Sequence, residues 1–248
     1  MKKFLRNILL VLCIGVFCFS LYKIVSYYYE GYQSEKRVSE LLSQVKEDEG
    51  RTMSFVEKYG ELLKQNSDMV GWITIEDTKV NYPVMQTPND EEFYLRRNFD
   101  KEYEFRGTPF VNANANLQDE DDNMIIYAHN MDDGTMFGDL RKFTDYSFYE
   151  THKTFEFDTI YHNSTYEIFA VFKTVDDPDH ELYIDYYTFF NAEDEESFNE
   201  QIQKYKQASY YDTGITPQYG DKLLTLSTCE YSNDNGRLVV VARKVESK

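Results

Sequence analysis

Hydrophobic and polar positions fall into three regimes along the chain. Residues 1–29 read MKKFLRNILLVLCIGVFCFSLYKIVSYYY: a basic start, an unbroken apolar run from Ile8 to Tyr22, then Lys23 and a tyrosine-rich stretch. This pattern predicts a membrane-spanning helix. The run is shorter than the ~20 apolar residues of a full crossing, but Lys23 can snorkel and the tyrosines can sit at headgroup depth. A cleaved signal peptide is the competing reading, and no small-x-small cleavage site follows the run, so an uncleaved anchor is expected. Residues 30–68 change period. Val38, Leu41, Leu42 and Val45 lie at helical spacing among charges up to about residue 52, and Phe55, Tyr59, Leu62 and Leu63 continue it toward Asn66. Both stretches predict helices, a stalk followed by the entry to a folded domain.

From residue 69 the period shortens to that of β-structure. Short apolar segments recur at 70–75, 80–85, 108–111, 124–128, 155–161, 165–174, 222–227 and 237–245, separated by turn-rich stretches. Seven or eight such strands with brief helical inserts predict a closed barrel or a sandwich rather than a βαβ fold. One interruption is longer: Phe198, Ile202 and Tyr205, spaced for one helix face among charges, predict a helix over 194–208. The reading is an anchor at 1–29, a stalk with N-terminal helices at 30–68 and one β-rich domain at 69–248.

Charge adds a direction to this layout. The net charge is −18, yet Lys2, Lys3, Arg6 and Lys23 against Glu30 give residues 1–30 a net +3, leaving −21 for residues 31–248. Basic residues ahead of the apolar run keep the N-terminus in the cytoplasm and send the acidic domain outside. An acidic body of this kind also repels polyphosphates, which argues against nucleic acid as a partner.

The candidate chemistry is sparse. Of three cysteines, Cys13 and Cys18 sit in the apolar run, where a thiol behaves as a small hydrophobe, and Cys229 is alone in the body. It has no partner for an intrachain disulfide, and an unpaired thiol in an exported domain is either a buried structural residue or a reactive one. It closes the apolar run KLLTLSTC before a polar turn, and Arg237 opens the next strand eight residues later, where it is either a solvated edge charge or a donor fork facing the thiol. His152, His162 and His180 lie in polar, loop-like settings. His129 instead follows the strand MIIYA, as Cys229 follows its own, and a thiol nucleophile needs an imidazole to exchange protons. No second His or Cys stands at metal-ligand spacing and the Asp-rich patches lack a calcium-loop pattern, so no metal or other cofactor is expected.

The strings TLSTC (Thr225–Cys229) followed by Arg237, IIYAHNM (Ile125–Met131), MFGDL (Met136–Leu140) and VGWITIEDTKVNYPVMQ (Val70–Gln86) resemble class B sortases. The resemblance runs from about residue 55 to the C-terminus. It implies an eight-stranded sortase β-barrel with N-terminal helices and a helix inserted before the cysteine strand. It also implies a cysteine transpeptidase with Cys229 as nucleophile, His129 as acid and base, and Arg237 at the oxyanion. The implied substrates are surface proteins carrying an NPxTN-like or xPxTG-like sorting signal, cut after Thr through a thioacyl enzyme and joined to a peptidoglycan precursor or cross-bridge amine. By the same alignment Leu95, Tyr183, Ile184, Ser227, Thr228 and Glu230 are substrate-binding positions, although ordinary packing explains Leu95 and Ile184 equally well. Two alternatives stay open on the residues alone: a peptidase that releases substrate to water, and a surface β-domain whose cysteine is incidental.

Overall fold

The computed structural model describes residues 2–46 and 53–245, so the end of the stalk at 47–52 lies outside the described residues. Two compact units divide at Ser43/Gln44. The first is one helix, α1 (Lys2–Leu42), which runs unbroken across the boundary at residue 29 between anchor and stalk. Its apolar side chains from Phe4 to Val25 are exposed, and its length and composition are compatible with a membrane anchor.

The second unit opens with α2 (Phe55–Gln65). Ser54 and Glu57 form a reciprocal capping box at its start, a feature that contributes about 1 kcal/mol. The apolar spacing seen in the sequence buries Phe55, Tyr59 and Leu62, and the Tyr59 ring stacks on Trp72 at 5.1 Å.

Eight strands follow: β1 (Met69–Thr74), β2 (Asn81–Met85), β3 (Phe110–Val111), β4 (Asn123–Tyr127), β5 (Thr154–Thr159), β6 (Asn163–Val175), β7 (Leu223–Cys229) and β8 (Gly236–Val245). They close into a barrel in the order β1-β2-β3-β4-β7-β8-β6-β5. The barrel reading is the correct one of the two the strand pattern allowed, and closure removes every free sheet edge. Most neighbours are antiparallel. The exceptions are β2 with β3 and, decisively for the site, β4 with β7.

Two helices pack on this frame. α3 (Tyr146–Thr151) follows a 3₁₀ segment, Gly138–Thr144, and the sequence periodicity did not reveal either because each is too short to show a period. α4 (Glu195–Ala208) is the predicted inserted helix, capped by Asp194 and Ser197. It buries Phe198, Ile202 and Tyr205 against Phe169, Phe172, Ile125 and Val239, and each fully buried side chain of this size stabilises by roughly 1.5–3 kcal/mol.

At Gly71 in β1 a side chain has no room: a Cβ there would lie 2.5 Å from Cε2 of Phe157 and 2.8 Å from the Asp158 carbonyl oxygen, on the neighbouring β5. Gly71→Ala is therefore expected to destabilise the domain by about 1–3 kcal/mol through overpacking. Thermal unfolding followed by circular dichroism checks this, and an unchanged Tm would refute the close approach of β1 to β5.

Candidate active site

Three strand ends meet at one end of the barrel. The parallel pairing of β4 with β7 sets Tyr127 beside Ser227, so Ala128 and His129 emerge from β4 where Thr228 and Cys229 complete β7. Neighbouring strands lie about 4.8 Å apart, which puts the two chain segments within side-chain reach. On the other side of β7, the antiparallel register with β8 places Cys229 directly opposite Arg237, and opposed side chains of such a pair share one face. Cys229, His129 and Arg237 are each half-buried. They line one cleft of about 470 Å³ together with Leu95, Tyr127, Tyr187, Ser227 and Thr228.

The His129 ring is held on both faces of its chemistry. Its Nε2 lies 2.9 Å from the Leu95 carbonyl oxygen. A carbonyl only accepts, so in the neutral ring Nε2 carries the proton and Nδ1 keeps its lone pair. The Phe105 ring lies parallel to the imidazole at 6.1 Å, and the Arg96 guanidinium covers Phe105 at 4.5 Å. Burial and the nearby Arg96 charge push the His129 pKa below its ordinary value, outweighing the Leu95 carbonyl, which acts in the opposite direction. The loop after His129 is closed on itself: the Phe137 amide donates to the His129 carbonyl oxygen, and buried Arg106 ties Asp133 (2.7 Å) to Thr135 (2.6 Å).

Arg237 faces a set of groups that favour its charge. Burial works against the cation, but Tyr187, Cys229, Tyr186 and Asp176 outweigh it and hold the Arg237 pKa above its ordinary value. Among the described residues the nearest carboxylate oxygen, on Asp176, is 4.0 Å away, so the guanidinium keeps donors for a ligand in the cleft. Burial raises the phenol pKa values of Tyr127 and Tyr187 and keeps both neutral.

The remaining expected positions divide. Leu95, on the 3₁₀ segment Phe93–Arg96, lines the cleft beside His129. Ser227 and Thr228 line it too, but their hydroxyls are engaged, Ser227 with the Tyr186 hydroxyl (2.6 Å) and Thr228 donating to the Ala128 carbonyl oxygen (2.7 Å). Glu230 lies just outside, paired with Lys173 at 2.7 Å. Tyr183 and Ile184 do not line the cleft: the Ile184 amide donates to Thr174 Oγ1 and its side chain packs on the α4 cluster. Tyr187 and Asp176, both from the same long connection, line the wall instead. Sequence reasoning also missed Tyr127, although period-2 alternation sets it on the same strand face as His129, and it missed Arg96, whose role depends on a fold-level contact with Phe105.

Comparison with known proteins places these features in context. A model of the sortase domain matches residues 73–245. Sortase B of Listeria monocytogenes is 34% identical over 249 residues, covering 98% of each chain. Sortase B of Staphylococcus aureus is 31% identical, covering 99% of this chain and 98% of that one. A solved Staphylococcus aureus sortase B–substrate complex superposes with a TM-score of 0.77 at 29% identity, over 90% of this chain and all of that one.

Because Arg96 contributes to the depressed His129 pKa, Arg96→Gln is expected to raise it. NMR titration of the His129 ring protons reads this directly, and an unmoved or lower pKa would refute the coupling. The sign for stability follows. The unfolded chain protonates this imidazole near its ordinary 6.5 and the folded protein only at lower pH, so its unfavourable contribution is absent above 6.5. Stability falls as pH drops below that value toward the folded pKa.

Proposed function

The chain belongs to the sortase family, as a class B sortase and hence a cysteine transpeptidase, and from that premise we propose which residues perform the reaction and on what. Cys229 is the nucleophile, His129 the proton carrier and Arg237 the oxyanion donor. The observation that carries this reading is the meeting of the three side chains in one cleft from three adjacent strand ends.

The Cys229 thiol passes its proton to His129 Nδ1 as its sulfur attacks the carbonyl of the Thr in a sorting signal, and the Arg237 fork hydrogen-bonds the oxygen as it gains charge. Collapse of that adduct breaks the bond after Thr, and His129 gives the leaving amine its proton. The incoming amine then attacks the thioacyl carbonyl, His129 takes the amine's proton, and the thiolate departs. A depressed imidazole pKa suits the ring to giving up each proton it takes, first to the leaving amine and then to the departing thiolate, so it is neutral again when the cycle ends. Nδ1 is the nitrogen left for this exchange, because Nε2 faces Leu95.

The cleft walls suit an extended peptide of the NPxTN or xPxTG kind. Leu95, Phe110, Tyr127 and Tyr187 offer apolar and aromatic surface, on which a proline and its neighbours can pack. The acceptor is the amine of a peptidoglycan precursor or cross-bridge, and the donors are surface proteins carrying the signal. Helix α1 anchors the enzyme as a single pass with its basic end in the cytoplasm and its catalytic domain outside, a reading supported by the exposed apolar helix and by the charge asymmetry. Water is the competing acceptor at the thioacyl stage, which is why a peptidase remains the second reading.

Incubating the full-length protein in detergent with an NPxTN-type peptide, with and without triglycine, tests the assignment. An acceptor-dependent ligated peptide is expected, and hydrolysis alone would support the peptidase. Cys229→Ala is expected to lose at least about 10³-fold in kcat/KM, and Arg237→Lys, which keeps the charge but loses the fork, about 10²-fold. Wild-type turnover by Cys229→Ala would overturn the assignment.

A further inference from the structure

The last paired residues of the parallel ladder are Tyr127 and Ser227, two positions short of His129 and Cys229. One further main-chain bond, from the Ala128 amide to the Ser227 carbonyl oxygen, is already long at 3.3 Å. Beyond it no main-chain bond joins the two chains among the described residues, and the His129 carbonyl oxygen accepts from Phe137 instead. Side chains take over where backbone pairing stops. Thr228 Oγ1 donates to the Ala128 carbonyl oxygen at 2.7 Å, and Asn130 Nδ2 donates to the Cys229 carbonyl oxygen at 2.8 Å. Tyr231, two residues after the cysteine, sends its hydroxyl back to the Asn130 carbonyl oxygen at 3.4 Å.

Asn130 is buried, and its Oδ1 has no hydrogen-bond partner among the described residues. A buried acceptor left unpaired costs about 1–3 kcal/mol, so a carboxamide is an expensive choice for this position. Its orientation is set by chemistry, since only the NH₂ end can face a carbonyl oxygen. The donor end is therefore what the site retains Asn130 for. Its backbone is bonded directly to that of His129, and its side chain holds the backbone of Cys229.

We propose that Asn130 is a positioning residue that fixes Cys229 against His129 where the β4–β7 ladder ends, with the Thr228 hydroxyl as its counterpart on the opposite strand. The inference rests on the reading of Cys229 and His129 as the reacting pair. Among the described residues, neither the Asn130 nor the Thr228 side chain hydrogen-bonds the thiol or the imidazole. They set the separation across which the proton moves, and a misplacement of about 1 Å between reacting groups costs on the order of 10²-fold in rate.

The test measures steady-state turnover of a quenched fluorescent NPxTN-type peptide with triglycine as acceptor, on the full-length protein in detergent. Asn130→Asp preserves the volume and removes the donor, Asn130→Ala removes both, and Thr228→Val and Thr228→Ser separate the methyl from the hydroxyl. Both Asn130 variants and Thr228→Val are expected to lose roughly 10–100-fold in kcat with KM within about twofold of wild type, and Thr228→Ser is expected to recover most of the rate. Circular dichroism and Tm for each variant give the folded fraction. A kcat loss no larger than the loss of folded protein, a loss confined to KM, or wild-type turnover by Asn130→Asp would each overturn the proposal. Cys229→Ala run alongside separates this from the site reading. If it is inactive while Asn130→Asp is normal, only the positioning role falls; if it is active, the catalytic assignment falls with it.

Discussion

The parallel contact between β4 and β7 is the constraint on which the rest of the site depends. Strands that run the same way end at the same end of a barrel, so a residue leaving β4 and a residue completing β7 are neighbours although a hundred positions separate them in the chain. The antiparallel return of β8 then adds Arg237 to the same end at no cost in chain length. A barrel closed around these three strands cannot slide their register without turning inward faces outward. Inner residues such as Ile126, Leu226 and Val240, all fully buried, thus hold the geometry of the candidate site as well as the fold.

Electrostatics at this end of the barrel are arranged around a neutral histidine and a charged arginine. The Leu95 carbonyl oxygen orients the imidazole, while burial and Arg96 discourage its protonation. Arg237 keeps its charge because phenols and Asp176 surround it, yet among the described residues no carboxylate approaches close enough to consume its donors. A close carboxylate partner would have quenched the guanidinium in the resting enzyme. At 4.0 Å, Asp176 biases the charge and leaves the fork available.

The long connection between β6 and β7 completes the cleft. α4 clamps this connection to the barrel through Phe198, Ile202 and Tyr205, and the buried Tyr186 hydroxyl bonds to Ser227. That anchorage brings Tyr187 into the cleft lining, to which the short 3₁₀ segment Phe93–Arg96 adds Leu95. One wall thus belongs to a helix-braced loop and the other to a turn held by Gly107, whose φ of +62° and contact with the Tyr94 and Leu95 carbonyls leave no space for a side chain.

The sequence by itself determined the longer elements and the candidate reacting groups. Periodicity located α2, α4 and all eight strands to within a few residues, because each buries one face and the apolar spacing records which, while the N-terminal helix was legible from its apolar run although it continues to Leu42. Cys229, His129 and Arg237 were legible because each marks the start or finish of a strand pattern, and the family motifs joined them. What only the tertiary structure decided are relations between distant segments. The choice of barrel over sandwich depends on closure between β1 and β5. The cleft wall contains Tyr187 instead of Tyr183 and Ile184 because packing under α4, not local pattern, sets which residues of that loop face inward. The engagement of Ser227 and Thr228 by Tyr186 and Ala128, and the bond from Asn130 to the Cys229 carbonyl, likewise join residues dozens of positions apart. A one-dimensional pattern records which face of an element is buried, whereas hydrogen bonds between elements depend on register, which is set only when the barrel closes.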